Sequence, residues 1–162
     1  MGKRADQPTQ CFHSYKEEKM KLQISMGQPD LMGYTNIDIL KNAIDLGKLD
    51  NVCEAAECTH LIINDVLKFI AYEKIPLVLQ HIESRLRHKS KLTLIFTDMN
   101  SVIRTYNTTE TDEKLFNNLM FGNGFRSCFS YDYISRIIKA LRLNILSTDI
   151  SKEQVIIIIE RP

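Results

Sequence analysis

Two short β-type runs near the start of the chain, Lys21 to Met26 and Tyr34 to Leu40, are separated by only about eight residues. That spacing constrains the fold more than any other feature. Parallel neighbours are ordinarily joined by a crossover of a dozen or more residues, usually a helix, and about eight residues cannot form one. In extended form, at roughly 3.3 Å per residue, they can still run back along a five-residue strand and begin a parallel partner. The connection carries Gly27, Pro29 and Gly33, residue types that punctuate turns. The second run ends in Asn36-Ile37-Asp38, and an acid there is better placed at a ligand than in a core.

Further along, Thr59 to Asn64 (THLIIN) and Lys91 to Thr97 (KLTLIFT) are two more apolar runs. Their continuous apolar character predicts strands covered on both faces, as in a parallel α/β sheet. Between them Ile75, Val78, Leu79, Ile82 and Leu86 recur at helical spacing, which predicts an amphipathic crossover helix with Pro76 in its first turn. After the fourth strand, Thr111 precedes a short helix with Asp112 and Glu113 in its first turn and Gly122 beyond its end. Ser130 is the expected cap of a last helix whose face holds Tyr133, Ile134, Ile137, Ile138 and Leu141. The final strands, Asn144 to Thr148 and Gln154 to Glu160, are joined by so few residues around Ile150 to Glu153 that they must form an antiparallel hairpin. The predicted architecture is a Rossmann-like α/β fold: a mainly parallel sheet, shortened between its first two strands, with an antiparallel strand near the C-terminus.

The 162 residues suit one compact domain, here 20 to 162, with residues 1 to 19 read as a mobile N-terminal extension. The balance of 21 Lys+Arg against 20 Asp+Glu lacks the basic excess of most nucleic-acid binders, which makes nucleic acid an improbable partner. No apolar run reaches the roughly 18 residues of a membrane helix. Cysteines at 11, 53, 58 and 128 with no signal segment ahead of them fit reduced thiols in a cytoplasmic protein. The spacing of Cys53 and Cys58, with only Cys11 and His13 to complete a set, argues against zinc, and no metal is expected. Homo-oligomer formation is left open.

The stretch LQISMG followed by GYTNID resembles the opening of small class I S-adenosylmethionine-dependent methyltransferases, common in bacteria and bacteriophages. There a strand ending in Gly-Cys-Gly is followed by Gly-Tyr-x-Asn-Ile/Val-Asp. A second, weaker likeness sets INDVLKFI and SRLRHKSKLTLIF beside that family's Ala-x-His-Val-Leu-Glu-His segment and the helix and strand after it. The resemblance covers roughly Met20 to Pro162. It implies S-adenosylmethionine as a small-molecule cofactor and methyl transfer to an acceptor that it does not identify.

On that resemblance, Ser25, Met26 and Gly27 form the cofactor loop, Asp38 accepts hydrogen bonds from the ribose hydroxyls, and Asn64 faces the ligand. Asp65 and Asp98 are the expected general bases near the acceptor, with His60 a weaker choice read chiefly as a packed strand residue. The chain also departs from the pattern. Ser25 and Met26 replace a glycine and a cysteine, and Asp65, Lys68 and Phe69 replace the His, Glu and His of the second segment. From the residues alone Asp38 and Asp98 are also ordinary turn acids, Asp65 a helix cap, and the basic run Arg85 to Lys91 a solvated turn. FGNGFRSCF, around Gly122 to Phe129, is either a lid on the substrate side or a plain loop. The rival reading is a catalytically degenerate domain of the same fold serving as a protein-interaction or assembly module.

Overall fold

The computed structural model describes residues 20–39, 45–46, 49–108 and 113–162. The predicted extension 1 to 19, with Cys11 and His13, lies outside the described residues, as do Leu40, Thr111 and Asp112. Six strands form one sheet: β1 (Met20–Ser25), β2 (Thr35–Asp38), β3 (Cys58–Asn64), β4 (Leu86–Thr97), β5 (Asn144–Ser151) and β6 (Gln154–Glu160). The spatial order is β2-β1-β3-β4-β6-β5. β1 pairs in parallel with β2 and β3, and β3 with β4, whereas β6 runs antiparallel to both β4 and β5. This is the mixed, Rossmann-like α/β sheet with antiparallel C-terminal strands that the sequence predicts.

Parallel β1 and β2 are joined without a helix, through Met26 to Tyr34. Three side chains fix this return. Asn36 accepts the N–H of Leu31 at 2.9 Å and donates to the carbonyls of Leu31 and Tyr34, each at 2.9 Å. Gln23 donates to the carbonyl of Pro29 at 3.2 Å. Asp38 accepts the N–H of Gly27 at 3.0 Å. Gly27 has φ +64°, a conformation glycine adopts at little cost.

Among the described residues the sheet is fully buried on one face only, where the apolar runs suggest cover on both. Side chains alternate across a strand. Leu22, Ile24, Leu61, Ile63, Leu92, Leu94, Phe96, Val155, Ile157 and Ile159 are at most 1% exposed. They share one core with Ile75, Val78, Leu79 and Ile82 of helix α1 (Ile75–Arg85) and with Ile134 and Ile138 of helix α4 (Tyr131–Ala140). On the other face Ile62, Ile95, Ile156 and Ile158 are only half-buried. Isoleucine stands on both faces of these strands, which hid the alternation from the sequence.

Pro76 sits in the first turn of α1, as expected. The helix stops at Arg85, and Leu86 is the first residue of β4 rather than part of the helical face. Leu86 pairs with Cys58 and Lys91 with His60, so residues 87–90 bulge opposite Thr59 alone, with Lys89 left-handed at φ +59°. Arg87, His88 and Lys89 of the basic run are thus an exposed bulge within a strand, while Arg85 ends α1. Helix α3 (Glu113–Phe121) and the Ser130 cap of α4, whose hydroxyl accepts the N–H of Tyr133 at 3.3 Å, match the sequence reading. Helix α2 (Met99–Thr108) does not appear in it: MNSVIRTYNT is rich in Asn, Ser, Thr and β-branched residues, all modest helix formers.

On the less buried face His60 of β3 joins the β1–β2 return to β4. Its Nδ1 lies 2.6 Å from the Tyr34 hydroxyl and its Nε2 3.1 Å from the Thr93 hydroxyl. Burial, then the charges of Lys91 and Lys21, hold its pKa below the ordinary 6.5. The unfolded chain therefore binds this proton more readily than the folded one, so the stabilising contribution is complete above about pH 6.5 and is lost as the pH falls toward the folded-state pKa. Thermal melts at pH 7.5 and 5.5 should show a loss of stability on acidification that is smaller in a His60→Gln variant; an identical loss in both would refute this assignment.

Candidate functional site

The register of β1 with its two neighbours sets Ser25 opposite both Asp38 and Asn64. The three residues form a row along the carboxyl edge of the parallel strands, where open α/β sheets hold ligands. Ser25 is buried, takes an ordinary strand backbone and accepts weakly from Gln23 Nε2 at 3.5 Å. Its Cβ therefore introduces no backbone strain where the family pattern has a glycine. Beside it, Gln23 Oε1 is buried with no hydrogen-bond partner among the described residues.

Above this row lies a cavity of about 530 Å³, within the usual range of small-molecule sites. Its walls include Met26 after β1, Ile39 after β2, Val66 and Phe69 after β3, and Arg126 ahead of α4. Among the described residues, Met26 is the one predicted cofactor residue that lines it directly, and Phe69, from the second family-like segment, lines it too. Asp38 and Asn64 flank it through their neighbours, Ile39 and the Asp65-Val66 pair. Gly27 is held against Asp38.

Asp65 takes the left-handed conformation at φ +57° and donates its N–H to the carbonyl of Ile95 at 2.7 Å. It does not cap the 3₁₀ turn that follows, Leu67–Phe69, whose N-cap is Val66. One carboxylate oxygen instead pairs with Lys68, and the other, Oδ1, is buried with no partner among the described residues. The Lys68 ammonium also sits 4.2 Å from the centre of the Phe125 ring, a cation–π contact. Phe125 meets Phe69 edge-on at 5.3 Å. The resulting Asp65-Lys68-Phe125 group leaves a space of only about 10 Å³ toward Thr97 and Cys128. Burial raises the pKa of the Cys128 thiol, which keeps it protonated and poorly nucleophilic at neutral pH.

Asp98 stands apart from the cavity. It is 4% exposed, and its two carboxylate oxygens accept the N–H groups of Ser101 and Tyr131, each at 2.7 Å. One acid thus caps α2 and accepts the first N–H of α4. Among the described residues no group of three or more His, Cys, Asp or Glu gathers around a point suited to a metal. No described helix is long and apolar enough to cross a membrane.

Arg126 and Lys74, which also lines the cavity, went unnoticed in sequence. Neither belongs to a motif. Only the turn glycines around FGNGFRSCF pointed toward the first.

No protein-family model matches the chain, and no curated protein matches it in sequence. Its fold does match solved structures. A 1,6-didemethyltoxoflavin-N1-methyltransferase of Burkholderia thailandensis, with S-adenosylhomocysteine bound, superposes with a TM-score of 0.58 at 10% identity, covering 89% of this chain and 72% of that one. A SAM-dependent methyltransferase of Archaeoglobus fulgidus gives 0.55 at 8% identity, with 90% and 88% covered. The magnesium protoporphyrin IX methyltransferase of Synechocystis PCC 6803 gives 0.53 at 17% identity; 80% of this chain covers 52% of that enzyme, about half its length. The fold is therefore that of methyltransferases of known structure.

Replacing Asp98 by Ala removes the cap of α2 and the acceptor of the first N–H of α4, leaving two N–H groups unpaired at a buried site. A cap contributes about 1 kcal/mol and an orphaned buried donor can cost more. Urea unfolding should show a loss of about 2–4 kcal/mol; a loss below about 0.5 kcal/mol would contradict this role at two helix starts.

Proposed function

We propose that this chain binds S-adenosylmethionine in the cavity at the carboxyl edge of β1 to β3 and donates its methyl group to a small acceptor. One observation carries the reading: a ligand-sized cavity lies beside the row Asp38-Ser25-Asn64, at a glycine turn tied to the acid at the end of β2. The methyltransferase fold of the structural neighbours supports it.

In this reading Asp38 holds the ribose hydroxyls and the Met26-Gly27 turn brings backbone close to the cofactor. Ile39, Leu46, Val66 and Val78 supply the apolar wall. The cofactor brings an already activated methyl group, so alignment and exclusion of water are the protein's main tasks. Asp65 borders the cavity without lining it, whereas Asp45 stands in its wall. It follows Asn64 directly, and Val66, its other neighbour, lines the cavity wall. Its buried Oδ1, without a partner among the described residues, makes it the candidate base for an oxygen or nitrogen acceptor. Asp98, engaged at the starts of two helices, serves the frame around the site.

A second reading, a methyltransferase-like module used in protein assembly, is favoured by the tight closure of Lys68 on Asp65 and Phe125. That closure fills space on the side where an acceptor would approach. Under this reading a stably folded Asp38→Ala variant keeps full biological function.

Isothermal titration with S-adenosylhomocysteine should give saturable binding. Asp38→Ala should weaken it by about 10- to 100-fold, since hydrogen bonds to charged groups contribute about 1.5–3 kcal/mol. Asp38→Asn retains an acceptor for the Gly27 N–H and separates loss of charge from loss of the turn. Absence of heat with both S-adenosylmethionine and S-adenosylhomocysteine at millimolar concentration would sink the proposal.

A further inference from the structure

The missing crossover helix between β1 and β2 has an electrostatic consequence. A helix starting after β1 would point unpaired N–H groups and a partial positive charge at an anionic ligand group. Here the chain returns without one, and the Gly27 N–H is taken by Asp38. An anionic group in this cavity therefore has no helix N-terminus after β1 to meet it.

The described cations at or near the cavity can be sorted by what they already do. Lys68 pairs with Asp65 and packs on Phe125. Lys74 lines this cavity together with Asp45, and the same two residues line a shallower neighbouring one. Arg126 lines the first cavity but not that neighbouring one, and makes no ion pair with any described residue. Its backbone is fixed: its N–H and that of Ser127 both donate to the carbonyl of Lys68, at 2.8 and 3.1 Å, and the preceding Phe125 is packed on Phe69. A guanidinium carried on a pinned backbone is well suited to a carboxylate, which it can grip through two parallel hydrogen bonds.

We propose that Arg126 is the positioning residue for the carboxylate of the cofactor's amino-acid arm, replacing the helix N-terminus that this fold has lost. The inference rests on the cofactor reading above. Asp38 on β2 and Asn64 on β3 are two inter-strand spacings apart, about 10 Å. Arg126 is tied to the segment just after β3. A ligand whose ribose is held at Asp38 and whose arm runs across Ser25 toward β3 therefore brings its charged end to the Arg126 side. The apolar wall at Ile39 and Leu46 remains for the base.

The test compares S-adenosylhomocysteine with its decarboxylated analogue by isothermal titration, on the full chain and on Arg126→Gln, Arg126→Lys and Lys74→Gln variants whose fold is checked by circular dichroism. The unaltered protein should prefer the carboxylated ligand by about 10- to 100-fold. Arg126→Gln should lose that preference while binding the decarboxylated analogue as before. Arg126→Lys should restore it in part, and Lys74→Gln should leave it intact. If Arg126→Gln keeps the full preference, or if Lys74→Gln abolishes it, Arg126 is not the anchor, although the cofactor reading survives. If the unaltered protein binds neither ligand, both proposals fall together.

Discussion

The structure depends on bringing β2 back beside β1, in parallel, with only Met26 to Tyr34 to do it. A helical crossover would satisfy its own backbone groups. A nine-residue return cannot, and its polar groups must be met from outside. Asn36 acts as a two-way clamp on Leu31, Gln23 reaches the carbonyl of Pro29, and Asp38 takes the Gly27 N–H. Each of these side chains comes from one of the two strands being joined. The return and the strand pair therefore form together or not at all, and Asp38 is placed at the ligand edge by the same bond that fixes the turn.

That economy accounts for the asymmetry of the sheet. Without a helix after β1, cover is concentrated on the face where α1 and α4 pack, and there the strand residues are almost completely buried. The opposite face mixes half-buried isoleucines with a polar chain, Tyr34-His60-Thr93, and the flanking Lys21 and Lys91. Burial and the two lysines both oppose a charged imidazole. His60 therefore bridges β3 to its surroundings as a neutral hydrogen-bonding group, and that face is most secure above its titration range.

Much of this was legible in the sequence because it follows from period and spacing. Four-residue recurrence located α1, the apolar runs located the strands, and the short final connection required a hairpin. Features set by tertiary contact were not legible. MNSVIRTYNT becomes helical because Asp98, at the end of β4, caps it, and nothing in its composition announces this. Leu86 continues the helical period of α1 but is captured by Cys58 as the start of a strand. The edge row of Ser25, Asp38 and Asn64 emerges from the register of three strands distant in sequence. The weak family likeness had already placed those three residues together, whereas only the turn glycines around FGNGFRSCF pointed toward Arg126 and nothing marked the burial of Gln23.

The four acids near the carboxyl edge illustrate how location divides identical chemistry. Asp98 meets two backbone donors and is committed to holding helices. Asp38 holds a turn while standing beside a cavity. Asp45 shares two cavity walls with Lys74. Asp65 alone keeps a buried oxygen without a described partner, on a left-handed backbone that a residue other than glycine adopts at a cost. A carboxylate oxygen removed from water without a hydrogen bond is expensive, and the Lys68 ammonium compensates only the other oxygen. The strain and the unmet oxygen fall on the same residue, immediately after the strand whose end borders the cavity. The least satisfied carboxylate among these four acids therefore stands directly after the strand end that borders the cavity.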